Sequence, residues 1–139
     1  MTADVKAMLD RVITDVFNGE FVTKDVTSDD PTWIHGVEVV SRTRSDRAVR
    51  IRAGRVWMDA FIPELGVGAA HVDEDGDVVY QEEELTKLCR ALRAYLEGGG
   101  HMRRRRRLFG RGSTSELAIE VDGYEWHFGR RSWIWAREV

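Results

Sequence analysis

Leu117-Ala118-Ile119-Glu120-Val121-Asp122-Gly123-Tyr124-Glu125-Trp126-His127-Phe128 is the stretch on which the fold turns. Two alternately apolar runs flank Asp122-Gly123, a dipeptide that favours a type I′ hairpin because both central residues must take positive φ. A two-residue loop fixes the register: Val121 faces Tyr124, Ile119 faces Trp126 and Leu117 faces Phe128. All three pairs fall on one face, and each joins an aliphatic to an aromatic side chain. Turn chemistry and hydrophobic pattern therefore specify the same hairpin. The opposite face sets Glu120 against Glu125, a like-charge pair that needs a compensating cation.

Five consecutive arginines, Arg103 to Arg107, stand just upstream. Gly98-Gly99-Gly100 precedes them and Leu108-Phe109-Gly110 follows. The run reads as a strand antiparallel to Ser115–Val121, with alternate arginines neutralising Glu116, Glu120 and Glu125. Its rival reading is a basic segment in which Arg103, Arg104, Arg105, Arg106 and Arg107 meet nucleic-acid phosphates while tryptophans stack on bases. Downstream, Gly129-Arg130-Arg131-Ser132 turns into a closing strand, Trp133-Ile134-Trp135-Ala136.

Two helices are written at three- and four-residue spacing. Val5, Met8, Leu9, Val12, Ile13, Val16 and Phe17 make the apolar stripe of the first, with Thr2 as N-cap and Asn18-Gly19 as its left-handed stop. The second runs from about Glu82 to Glu97. Leu85, Leu88, Cys89, Leu92 and Leu96 line its buried side, Glu82, Glu83 and Glu84 occupy the first turn, and Gly98 ends it. Cys89 lies on that stripe and reads as a small core residue.

Between the helices the period is two. Val49-Arg50-Ile51-Arg52 is a half-buried strand with a basic outer face. Arg52-Ala53-Gly54-Arg55 turns it into Val56–Ile62, which Pro63 ends. Trp33–Arg44 supplies an earlier strand and Gly66–Val72 a later one. The order helix, strands, helix, strands gives an α+β fold, two amphipathic helices on antiparallel meander sheet. The halves share no residue-level similarity, so an internal repeat is not supported.

Composition sets the outer bounds. The chain has 139 residues, 42% hydrophobic and 32% charged, which fits a single globular domain over residues 1–139. No apolar run is long enough to span a bilayer, so no membrane association is expected. Met1-Thr2-Ala3-Asp4 lacks the basic flank and apolar core of a signal peptide. One cysteine cannot make an internal disulfide, and the expected location is the cytoplasm.

Four constellations invite a chemical reading. Glu120, Glu125 and His127 are metal-ligand types, but a flat exposed sheet lacks the enclosing cage a tight site needs. Asp73, Asp75, Asp77 and Glu84 match positions 1, 3, 5 and 12 of a calcium loop. Val78 stands where glycine must make the sharp turn, so an Asp75-Gly76 hairpin between Ala70–Val72 and Val78–Tyr80 is preferred. Gly66-Val67-Gly68 opens like a dinucleotide loop, yet His71 replaces the last glycine and no βαβ unit surrounds it. Asp59, on an apolar strand, is either a perturbed acid, with His71 part of a dispersed enzyme site, or the partner of Arg50 or Arg52. No cofactor or metal is expected, and no linear catalytic motif is present.

Charge is segregated along a chain whose net charge is −3. Arg42–Arg55 holds six arginines against Asp46, and Asp73–Glu84 holds seven carboxylates and no base. Such blocks suit a protein-binding module that selects its partner electrostatically through Asp73, Glu74, Asp75, Asp77, Glu82, Glu83, Arg50 and Arg52. In size, charge and element order the chain resembles two groups of small bacterial proteins, immunity proteins that neutralise toxin domains and acidic secretion chaperones. The resemblance to immunity proteins implies a toxin partner whose basic cleft the acidic block covers.

Overall fold

Helix α1 (Thr2–Val16) forms where the sequence places the apolar stripe, and every residue of that stripe from Val5 to Phe17 is buried. Gly19, at φ 62°, makes the left-handed stop. The computed structural model describes residues 2–26, 35–44, 46–72, 75–106, 113–129 and 136–138, with 2–4, 105–106, 113–114 and 136–138 as backbone alone. The side chain of the expected Thr2 cap is not described, and of the expected closing strand Trp133–Ala136 only the Ala136 backbone falls within the described residues.

After α1 the chain makes a five-stranded antiparallel meander: β1 (Phe21–Val26), β2 (His35–Ser41), β3 (Ala48–Ala53), β4 (Trp57–Ile62) and β5 (Val67–Val72). Val37, Val39, Val49, Ile51, Met58, Ala60, Ile62, Val67 and Ala69 alternate onto one face and are buried there. The second helix, α2 (Val78–Leu96), follows, and then a four-stranded sheet of β6 (His101–Arg106), β7 (Ser113–Val121), β8 (Tyr124–Phe128) and β9 (Ala136–Glu138). This is the α+β order expected, with two antiparallel sheets.

The hairpin of β7 and β8 has the expected register, with Val121, Ile119 and Leu117 opposite Tyr124, Trp126 and Phe128. Asp122 and Gly123 take φ of 54° and 80°, as a type I′ turn requires. The two sheets join at Gly68, whose N–H and carbonyl exchange hydrogen bonds of 2.9 and 3.0 Å with Gly129. A Cβ at Gly68 would lie 2.6 Å from the Ala60 carbonyl oxygen, so this glycine serves a close backbone approach. Both helices pack on the side where the apolar rows of the two sheets meet, in one continuous core.

Three sequence expectations need correction. Helix α2 starts at Val78, not Glu82, because Asp77 caps it by accepting from the N–H groups of Val79 and Tyr80. Val78–Tyr80 is therefore helical rather than the second arm of a hairpin, and Glu82–Glu84 sit in the second turn. The turn after β3 is centred on Arg55-Val56, with Gly54 N–H bonded to the Trp57 carbonyl at 2.8 Å. Strand β1 was not expected at all. No helix among the described residues is long and apolar enough to cross a membrane.

Candidate functional site

The basic block around β3 is neutralised within its own sheet. Arg50 Nε lies 3.1 Å from Glu38 Oε2, and Arg52 grips Asp59 with two hydrogen bonds of 3.0 and 2.6 Å. The Arg52 guanidinium also lies 5.2 Å from the Trp57 ring centroid. These residues share the sheet face turned away from the helices. There Lys24, Glu38 and Arg50 stand in one cross-strand row of alternating charge.

Asp59 is thus the partner of Arg52. His71 pairs with Met58 in the β4–β5 register, whereas Asp59 pairs with Ala70. Opposed residues share a face, so Asp59 and His71 project to opposite sides of the sheet and do not converge. The His71 Nε2 atom lies 3.2 Å from the Tyr80 hydroxyl of α2. Cys89 is fully buried, and burial pushes its thiol pKa far up, as a core position requires.

The acidic block divides by role. Asp77 is consumed as the α2 cap, and Asp73 and Glu74 lie outside the described residues. Glu82 and Glu83 instead project from α2 into an open trough beside α1, about 1050 Å³ in volume, whose lining includes Asp10, Arg11, Asp15 and Lys87. Arg11 is bound to Glu82 at 2.8 Å, Lys6 to Asp10 at 3.1 Å, and Lys87 to Glu84 at 3.3 Å. Asp15 and Glu83 have no cationic partner among the described residues. Glu82 and Glu83 therefore lie on the helical side of the molecule, with Arg50 and Arg52 on the far side of the sheet. The expected partner set is not one surface.

Asp10 and Asp15 were missed by the sequence reading. They lie opposite the apolar stripe of α1, and their exposure was legible. Their meeting with Glu82 and Glu83 depends on how the two helices pack, which no local pattern encodes.

The arginine run is a strand paired with β7, in the expected orientation. Its first member is consumed: Arg103 lies 2.7 Å from Glu116 and 2.9 Å from Glu125. His127 completes the cluster, with Nδ1 3.3 Å from Glu116 and Nε2 3.1 Å from Glu125. Arg103 thus occupies the place of a cation, and no group able to hold a metal is found among the described residues. Glu120 is exposed and joins none of these contacts. Arg104 is exposed and has no carboxylate partner among the described residues, Arg105 and Arg106 belong to β6 by backbone, and Arg107 lies outside the described residues.

Compared with family models, curated proteins and solved structures, the chain matches none.

Proposed function

We propose that this protein is a protein-binding module of the immunity type, which neutralises a toxin domain by seating a basic surface against its helical layer. The observation that supports this reading is the trough between α1 and α2, where Asp15 and Glu83 have no cationic partner among the described residues, Asp10 pairs with Lys6 alone and Glu82 with Arg11 alone. Opposite charge across an interface speeds capture and rejects wrong partners. Arg50 and Arg52 drop out of the recognition set, because Glu38 and Asp59 already satisfy them.

The reading requires a neighbouring gene for a secreted protein with a toxic C-terminal domain, and that domain is the probe. The two proteins should bind with an on-rate that falls as salt rises, and co-expression should protect the host cell. Asp15→Lys/Glu83→Lys should slow association at least tenfold while leaving the melting midpoint unchanged. Absence of binding, or binding indifferent to that double reversal, overturns the reading.

A further inference from the structure

The two sheets have four outer strands, and three of them are closed to further pairing. Strand β5 is bridged to Gly129, β6 is loaded with arginine, and β9 has only three residues. Charge and shortness are the usual protections of an edge. Strand β1 is less protected: it is six residues long, its two charges are of opposite sign, Lys24 and Asp25, and all of Val22–Val26 is exposed.

The direction of its free backbone groups follows from one hydrogen bond. Arg42 N–H donates to the Glu20 carbonyl at 3.0 Å, continuing the β1–β2 ladder by one pair beyond Phe21↔Ser41. In an antiparallel pair, alternate residues direct N–H and C=O to the same neighbour. Glu20, Val22, Lys24 and Val26 thus face β2, and Phe21, Thr23 and Asp25 face outward. No strand pairs with that outer side among the described residues.

We propose that this edge accepts an extended segment of a partner protein as a sixth strand, with the side-chain pattern apolar-x-acidic-x-apolar. The pattern comes from the rows the new strand would extend. An acid opposite Lys24 continues the alternation Lys24–Glu38–Arg50, and apolar residues beside it lie opposite Val22 and Val26. Self-pairing fits poorly. A two-fold axis keeps each face on its own side, so five of the six residues pair only in registers centred on Thr23 or Lys24. The second sets Lys24 against Lys24. The first sets Lys24 against Val22 and Asp25 against Phe21, giving neither charge a counter-ion across the new pair.

The proposal does not depend on the acidic trough, and its probe is a short peptide rather than a toxin. Titrate acetyl-Thr-Val-Thr-Glu-Thr-Val-Thr-amide to millimolar concentration and follow backbone amides by NMR. Saturable binding should slow hydrogen exchange at Thr23 and Asp25, and the same peptide with Lys for Glu should bind at least fivefold more weakly. Thr23→Pro removes an outward N–H without touching the β1–β2 ladder and should abolish binding with the melting midpoint retained. Lys24→Glu should invert the preference between the two peptides, which decides the matter if the proline variant unfolds. Absence of saturable binding, indifference to the Glu/Lys exchange, or a β1-dependent dimer that excludes the peptide overturns the proposal.

Discussion

Arg103 Nε lies 2.7 Å from Oε1 of Glu116, across the β6–β7 pair on the face turned away from the main core. Burial pushes the Glu116 carboxyl up, but its hydrogen bonding with Arg103 and His127 and the favourable electrostatics of both outweigh it and hold its pKa below the ordinary 4.5. A carboxylate depressed in the folded state stabilises above its unfolded pKa, and that contribution is lost as pH falls through the folded value. Stability should thus decline from about pH 4.5 downward. Glu116→Gln should cost about 1.5–3 kcal/mol at pH 7 and flatten the acid limb. Urea melts of both proteins between pH 7 and pH 2.5 check this. An unchanged acid limb in the variant would remove Glu116 as its cause.

The β7–β8 register makes a second expectation. Trp126 is 1% exposed and stacks on Phe128 with centroids 6.3 Å apart. Trp126→Ala should cost about 3–5 kcal/mol, a large-to-small change at the centre of the core. Thermal melting reads it directly, and a midpoint within a degree of wild type would contradict the burial.

The same hairpin shows why part of this fold was legible. Asp122-Gly123 and its three apolar pairs carry turn type, register and buried face in a dozen contiguous residues. The β1 strand carries no such redundancy. Only Phe21 of Phe21–Val26 is buried, so an edge strand open to solvent leaves no alternating signature. The start of α2 failed for a different reason. Val78-Val79-Tyr80 is strongly β-forming, and the Asp77 cap overrode that preference at a cost the tertiary packing of Gln81, Leu85 and Leu88 offsets. The basic block was real in the sequence, but Arg50 and Arg52 are neutralised in space, because Glu38 and Asp59 come from other strands. Pairing across strands, like the gathering of Asp15 and Glu83 around one trough between two helices, is a property of the packing and not of any window of sequence.

Asp77 gives the third expectation. It caps α2 through Val79 and Tyr80, and Val78 is the first helical residue, so the arrangement needed for a calcium loop is not formed. Calcium at millimolar concentration should leave the melting midpoint unchanged, since a ligand selective for the native state must raise it. Asp77→Ala should instead destabilise by about 1 kcal/mol, the ordinary loss of a helix cap. A saturable rise in midpoint with calcium would show that the loop rearranges to bind it.

The last expectation concerns the remaining arginines. Arg103 is held by Glu116 and Glu125, which leaves its neighbours to supply any phosphate contacts. A run that neutralised four or five phosphates would lose affinity with a log–log salt slope near about −4 on duplex DNA. With the first arginine withdrawn and carboxylates beside it, the chain should bind a labelled duplex no better at physiological salt than an ordinary acidic protein. Arg104→Glu/Arg106→Glu should then change little, and because both lie on the outer strand β6, with Arg104 exposed, the fold should tolerate it. Fluorescence anisotropy across a salt series measures both proteins under the same conditions. Tight binding with a slope near about −4 that disappears in the double variant would make β6 a nucleic-acid strand and displace the protein-partner reading.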